Sequence, residues 1–323
     1  MAIKGKLHEG CKKEISVKPS GDETKVPTLL MLRDMMGWDA KDICEHELIV
    51  SDEIVKGHVP VRVYRKKSLV DKQLPVLLYI HGGGFFGGSI QNVEQICRTF
   101  ADREDMIVIS IGYRLAPEYP YPQGLMDCYD VLSDVVNRSY LYGCNGEVYA
   151  AGDSAGANLS ITLGLLDHHF YKTKYTKGLI MYYPVVELIS DGKGEFWDVE
   201  KIYVEDDEER ELVHQHIKGF GLQNVQICNW YAGDVDKKHP LLSPLYATKE
   251  QLQSLPPMKI IIGEFDALKL QNDAFVEYCK QNGIEVDYQI YEGMTHAFMD
   301  KIGVYDEALK GVEDGIHFIK QIR

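Results

Sequence analysis

Short strand-like runs, several of them almost continuously apolar, alternate with longer amphipathic stretches from about residue 76 onward. The strand-like runs lie at 76–80, 106–110, 147–151, 179–183, 258–263 and 286–291. Between them, apolar residues recur at helical spacing at about 91–104, 123–138, 157–170, 270–281 and 304–321. Continuous apolar runs are typical of strands buried on both faces, so the pattern predicts a mostly parallel sheet flanked by helices.

Two further strands are predicted ahead of this alternation, at 47–50 and 59–64. A polar turn around Lys56 and Gly57 separates them, which indicates an antiparallel edge and brings the sheet to eight strands. Ahead of these strands, apolar residues at helical spacing over 28–38 predict a helix after Pro27.

The alternation stops between Pro184 and about residue 229. There an acidic run at 205–211 leads into apolar residues at helical spacing, which predicts one amphipathic helix with a solvated acidic start. We expect residues 46–184 and 230–323 to form the main domain. We expect residues 1–45 and the insertion 185–229 to form a helical cap, although a plain surface excursion is the alternative for the insertion.

Composition narrows the class of protein. With 323 residues, of which 45% are hydrophobic, the chain can form one large α/β domain with a cap. A net charge of −14 argues against a nucleic-acid partner or an anionic membrane surface. No secretory leader pattern or long apolar span is evident, so we predict a cytoplasmic protein with no membrane partner. The seven cysteines form no C-x-x-C pair and there is no H-E-x-x-H, so no metal site is expected.

One serine lies at the junction of a predicted strand and a predicted helix. Residues 152–156 read Gly-Asp-Ser-Ala-Gly, with Ser154 at the centre. The glycines permit a sharp turn that exposes the serine above the sheet, as in a nucleophile elbow. A turn serine without chemistry is the alternative.

A serine hydroxyl needs a histidine to accept its proton and a carboxylate to orient that histidine. Asp266 follows the strand at 258–263, and His296 follows the last strand, so both are expected at the carboxyl edge of the sheet. The order Ser154, Asp266, His296 is that of the α/β-hydrolase triad. Glu264 is the nearest rival acid, and a helix N-cap is the alternative role for Asp266.

The loop after the strand at 76–80 reads His81-Gly82-Gly83-Gly84. Backbone N–H groups of Gly83, Gly84 and Ala155 are the predicted donors to an oxyanion, and His81 and Gly82 are predicted to support the loop. A flexible glycine-rich turn is the alternative.

These residues together resemble the hormone-sensitive-lipase-like family of α/β hydrolases. The matching segments are His81–Phe85, Tyr113–Glu118, Gly152–Asn158, Leu242–Leu245, Asp266–Leu268 and His296–Phe298. The resemblance implies the α/β-hydrolase fold, carboxylic-ester hydrolysis without a cofactor, and a cap built from the N-terminus and the insertion. Ala267 stands where the family usually has proline.

The expected function is a serine carboxylesterase that acts on short-acyl, acetyl-like esters through an acyl-enzyme. A non-catalytic small-molecule binding protein on the same fold, or an amide or lactone hydrolase with the same triad, remain alternatives. The partner is a small ester, and a homodimer is left open. Six cap side chains are expected to line or support the pocket roof, with packing inside the cap as their alternative role: Met31, Met35, Met36, Phe196, Trp197 and Phe220.

Overall fold

The structure, a computed structural model, describes residues 5–17, 28–34, 36–37, 40–189 and 192–323. Its core is one eight-stranded sheet with the order β1-β2-β4-β3-β5-β6-β7-β8. In chain order the strands are β1 (Leu48–Val55), β2 (Val59–Lys66), β3 (Leu74–Ile80), β4 (Ile107–Ile111), β5 (Cys144–Asp153), β6 (Thr176–Tyr182), β7 (Met258–Gly263) and β8 (Val286–Tyr291).

Strand direction follows the sequence pattern. β2 is antiparallel to both β1 and β4, whereas all other neighbouring pairs are parallel. Every residue of the central strand β3 is buried, while β1 is exposed along most of its length. The predicted parallel sheet with an antiparallel edge is therefore confirmed, and its architecture is that of an α/β hydrolase.

Helices connect the strands and pack against the sheet. They are α1 (Glu9–Ser16), α2 (Leu29–Asp34), α3 (Glu94–Arg103), α4 (Gln123–Asn137), α5 (Ser139–Tyr142), α6 (Ala155–Leu165), α7 (Asp207–Ala232), α8 (Lys249–Gln253), α9 (Lys269–Gln281) and α10 (Asp306–Ile322). None of the helices within the described residues combines the length and apolarity needed to cross a bilayer.

The longest helix in the described part of the chain, α7, begins inside the predicted insertion. It begins where the Asp206 carboxylate accepts hydrogen bonds from the backbone N–H groups of Glu208 and Glu209. It continues to Ala232, so the predicted end of the insertion at residue 229 lies inside this helix. The helix predicted over 28–38 is shorter, ending at Asp34, and residues 35 and 38–39 lie outside the described residues.

The acidic start of α7 is not wholly solvated, and that part of the prediction was wrong at one residue. Glu209 is 3% exposed. Its carboxylate accepts hydrogen bonds from the backbone N–H of Leu7 at 3.0 Å and from Lys12 Nζ at 2.9 Å. A buried carboxylate is tolerated because the N-terminal segment supplies both a donor and a positive charge.

Candidate active site

Ser154 occupies the tight turn between β5 and α6. Its backbone has φ 51° and ψ −114°, a conformation that non-glycine residues rarely adopt. A Cβ on Gly156 would lie 2.0 Å from the carbonyl oxygen of Ile80, and one on Gly152 would lie 2.5 Å from the Gly156 backbone. Glycine is therefore required on both sides of the serine, because the turn lies directly against the end of β3.

Three side chains from distant parts of the chain form a continuous hydrogen-bonded row. Ser154 Oγ lies 3.0 Å from His296 Nε2, and His296 Nδ1 lies 3.0 and 2.9 Å from the two carboxylate oxygens of Asp266. Asp266 is 1% exposed and also accepts a 2.7 Å hydrogen bond from the backbone N–H of Leu268. This geometry allows a carboxylate to orient a histidine that can accept the serine proton.

The rival acid, Glu264, has other partners. Its carboxylate accepts hydrogen bonds from the backbone N–H groups of Gly5 and Gly293, each at 2.9 Å. Glu264 therefore ties the N-terminal segment to the loop that carries His296, whereas Asp266 faces the imidazole. Sequence analysis did not predict this tie, because nothing near Glu264 in the chain indicates its partners.

The glycine loop after β3 lies beside the Ser154 turn. Gly83 and Gly84 have φ values of 112° and 59°. A Cβ on Gly82 would lie 2.2 Å from Asp153 Oδ2, so the loop contacts the residue before Ser154 at a distance that only glycine permits. In the described stretches of the chain, the N–H groups of Gly83, Gly84 and Ala155 donate to no protein acceptor. They can serve as donors to a bound oxygen atom.

His81 is built into the base of this loop. Its Nδ1 lies 2.8 Å from the carbonyl oxygen of Gly82, so Nδ1 carries the proton and donates. Its ring stacks on Tyr113 at a centroid distance of 4.3 Å, and Tyr113 donates from its hydroxyl to the His81 carbonyl oxygen at 3.0 Å. Burial lowers the pKa of His81 to about 4. These contacts suit a residue that supports the loop.

The low pKa of His81 gives a testable pH dependence of stability. The folded state keeps this ring neutral where the unfolded chain protonates it, so its contribution to the unfolding free energy is lost as pH falls from about 6.5 toward 4. At about pH 5 the loss is expected to be about 2 kcal/mol.

Urea unfolding of the wild type and of His81→Asn at about pH 7.5 and about pH 5 measures this effect. The variant should lose less stability between the two pH values than the wild type. His317→Asn, at an exposed position, is the control and should behave like the wild type. Equal pH dependence in wild type and His81→Asn would contradict the assignment.

Two aromatic rings pack against His296. Tyr183, which follows β6, and Phe220 of α7 lie 4.7 and 4.9 Å from the imidazole, measured between ring centroids. Trp197 stacks on Phe220 at 6.3 Å. Phe220 and Trp197 were expected in the cap, whereas Tyr183 was assigned only to a strand. Its position at the carboxyl end of that strand was the one available signal.

The other predicted cap residues differ in their surroundings. Met36 lies beside the glycine loop, because a Cβ on Gly87 would lie 2.4 Å from its sulfur. Met31 is 54% exposed, so its predicted place in the roof was wrong: it lies on the solvent side of α2. Phe196 is half-buried, and Met35 lies outside the described residues.

Both predicted cap segments contact the glycine loop. From α2, Arg33 donates from Nε to the carbonyl oxygen of Phe86 at 2.6 Å and pairs with Glu118. From α7, Ile227 lies inside the predicted insertion, and its Cγ2 would be 3.2 Å from a Cβ on Gly84. Tyr231, two residues beyond the predicted end of the insertion, stacks on Phe85 at a centroid distance of 3.8 Å. The loop is therefore held by the N-terminal segment and the insertion together.

A histidine and two carboxylates come together away from Ser154. His58, Asp127 and Asp130 place one ligand atom each within 4.8 Å of one another. Arg114 binds Asp127 at 2.7 Å and Lys56 binds Asp130 at 2.6 Å. The positive charges of these two residues already balance the carboxylates, so the donor set does not fit a divalent cation well.

Comparison with known proteins identifies a family model and relatives that match this chain. A family model described as alpha/beta hydrolase fold matches residues 77–300. Ethyl acetate hydrolase from Pseudomonas putida is 27% identical, over 82% of this chain and 79% of the relative. Carboxylesterase NlhH from Mycobacterium tuberculosis is 28% identical, over 81% and 78%.

Solved structures show the same fold. An esterase from Pyrobaculum calidifontis superimposes with a TM-score of 0.75 at 25% identity, covering 98% of this chain and 99% of its own. One of two fungal esterases from Rhizomucor miehei superimposes with a TM-score of 0.82 at 20% identity, covering 98% of both chains. The second likeness concerns the fold alone.

Proposed function

Because this chain belongs to the hormone-sensitive-lipase-like family of α/β hydrolases, we propose that it is a serine carboxylesterase that hydrolyses short-acyl, acetyl-like esters through an acyl-enzyme. The observation that carries the proposal is the row of hydrogen bonds from Ser154 Oγ through His296 to Asp266. The names of the relatives, which include a carboxylesterase and an ethyl acetate hydrolase, support the reaction class.

Acylation begins with attack of Ser154 Oγ on the ester carbonyl carbon, while His296 Nε2 takes the hydroxyl proton. The carboxylate of Asp266 holds the proton on Nδ1 and stabilises the imidazolium. Backbone N–H groups of Gly83, Gly84 and Ala155 are the donors proposed for the oxyanion. His296 then protonates the alcohol oxygen, the bond from the acyl carbon to that oxygen breaks, and the acyl group stays on Ser154.

Deacylation repeats these steps with water. His296 removes a proton from the water as its oxygen attacks the acyl carbon, and the same backbone donors hold the second oxyanion. Collapse releases the carboxylic acid and returns the proton to Ser154 Oγ.

We propose that residues 1–45 and the insertion from 185 through the end of α7 form the cap over this site. Two contacts support this assignment of the cap: Phe220 of α7 packs on His296, and Glu209 of α7 accepts a hydrogen bond from Leu7 in the N-terminal segment.

Acyl-chain length is the property of the substrate that the cap should limit. Phe220 and Tyr183 narrow the space at His296, and exposed carboxylates at Asp207, Glu208 and Glu211 make the start of α7 a poor surface for docking on lipid. Acetyl to butyryl p-nitrophenyl esters should therefore show higher kcat/KM than decanoyl or longer esters. The rate should not jump above the concentration at which a substrate forms micelles.

Initial rates across this series, below and above each micelle concentration, test the proposal. An optimum at long chains, or interfacial activation, would overturn the short-acyl assignment and leave the proposed triad standing. Failure of the purified protein to hydrolyse any p-nitrophenyl ester would overturn the esterase proposal. It would favour a binding protein, or an amide or lactone hydrolase.

A further inference from the structure

The cap helix α7 carries a histidine on the side that faces the proposed triad. His216 precedes Phe220 by four residues, and side chains four residues apart lie on the same face of a helix. The ring of Phe220 lies 4.9 Å from that of His296, so this face of α7 is the one that packs over the triad. His216 therefore lies beside the proposed active site, one helical turn from Phe220.

The imidazole of His216 has an unused polar atom. Its Nε2 is buried and makes no hydrogen bond within the described residues. Burial lowers the pKa of His216, the nearby His296 lowers it further, and the carboxylates of Asp266 and Glu14 oppose the shift. His216 thus lies within electrostatic range of both proposed triad partners. Buried polar atoms are nearly always paired, so an unpaired one beside an active site indicates a bound molecule as its partner.

The chemistry of ester cleavage indicates whether His216 would contact the acyl half or the alcohol half of the substrate. His296 must protonate the alcohol oxygen as the bond to the acyl carbon breaks, so the alcohol half lies on the His296 side of Ser154. A neutral imidazole can donate a hydrogen bond to a hydroxyl group or accept one from it. We propose that His216 binds a hydroxyl group on the alcohol half, and that the preferred substrates are short-acyl esters of polyols or sugars. This inference rests on the proposed esterase function.

The test compares two acetate esters that differ only in the alcohol: glycerol monoacetate, which keeps free hydroxyls, and ethyl acetate, which has none. The wild type should hydrolyse glycerol monoacetate with the higher kcat/KM. His216→Leu should lower the ratio of the two kcat/KM values by about tenfold, because the buried hydroxyl then lacks a partner. His216→Asn, which can still pair with a hydroxyl, should keep most of the ratio. The ratio does not depend on how much of each variant folds.

His214→Leu is the matched control. His214 is on the same helix and also has a buried Nε2 without a hydrogen bond among the described residues, but it points to the other side, toward Glu200. For His214→Leu, the ratio of the kcat/KM values for glycerol monoacetate and ethyl acetate should equal that of the wild type. A wild-type preference for ethyl acetate, an unchanged ratio in His216→Leu, or an equal loss in His214→Leu would each overturn the proposal. If the wild type hydrolysed neither ester, the proposed function itself would fail.

Discussion

Replacement of Ser154 by alanine is expected to lower kcat for p-nitrophenyl acetate by about 10⁴-fold or more. The loss is large because Oγ is the atom that forms the bond to the acyl carbon. Among the described residues, the hydroxyl group that lies 3.0 Å from His296 Nε2 is that of Ser154. The fold should persist, since alanine removes only one atom at a turn whose conformation depends on its flanking glycines. Steady-state kinetics and circular dichroism of the purified variant measure both quantities.

Ser160→Ala is the matched control for this substitution. Ser160 lies in α6, the helix that follows Ser154, and its hydroxyl donates to the carbonyl oxygen of Gly156 rather than to a histidine. Loss of that hydrogen bond should leave kcat within about tenfold of the wild type. The bond contributes to the stability of α6 and takes no part in the proposed reaction. Near-normal turnover by Ser154→Ala would show that another group is the nucleophile.

The second large effect is expected from Asp266→Asn, which should lower kcat by about 10⁴-fold. The carboxylate accepts the Nδ1 proton of His296, which leaves Nε2 free to accept the proton of Ser154. An asparagine amide can instead donate to Nδ1 and thereby favour the tautomer that cannot deprotonate the serine. The side-chain volume hardly changes, so a loss of this size would come from the position of the proton on the His296 ring and not from altered packing.

Glu264→Gln separates the two acidic residues that the sequence places near this loop. Glutamine keeps one oxygen to accept a hydrogen bond from Gly5 or Gly293, so we expect less than about a tenfold loss in kcat. If Glu264→Gln lost activity as severely as Asp266→Asn, or if Asp266→Asn kept most of its activity, the assignment of the acid would be wrong.

Much of the fold could be predicted from the sequence because parallel strands buried on both faces have an unmistakable composition. The run at 76–80 is apolar throughout, and the structure buries every residue of β3. Ser154 and Asp266 follow buried runs, and His296 follows the more exposed edge strand β8. The carboxyl ends of parallel strands share one edge of the sheet. That these three residues lie close together could therefore be predicted from their positions after parallel strands of the sheet.

What the sequence did not predict depends on contacts between distant segments. The helix α1 is eight residues long and has only two apolar residues facing the core, Cys11 and Ile15, which is too few for periodicity to reveal it. Glu209 was assigned to a solvated run because Leu7 and Lys12, which bind it, lie about two hundred residues away in the chain. The packing of Tyr183 on His296 likewise depends on how two loops meet, which no local pattern encodes.

Labelling with a fluorophosphonate probe tests the central claim most directly, because the probe forms a stable bond with a serine that a triad activates. The account predicts a single adduct on the peptide that carries Ser154, loss of all esterase activity in proportion to labelling, and no adduct in Ser154→Ala. An adduct on another residue, or full ester hydrolysis by the labelled protein, would contradict it.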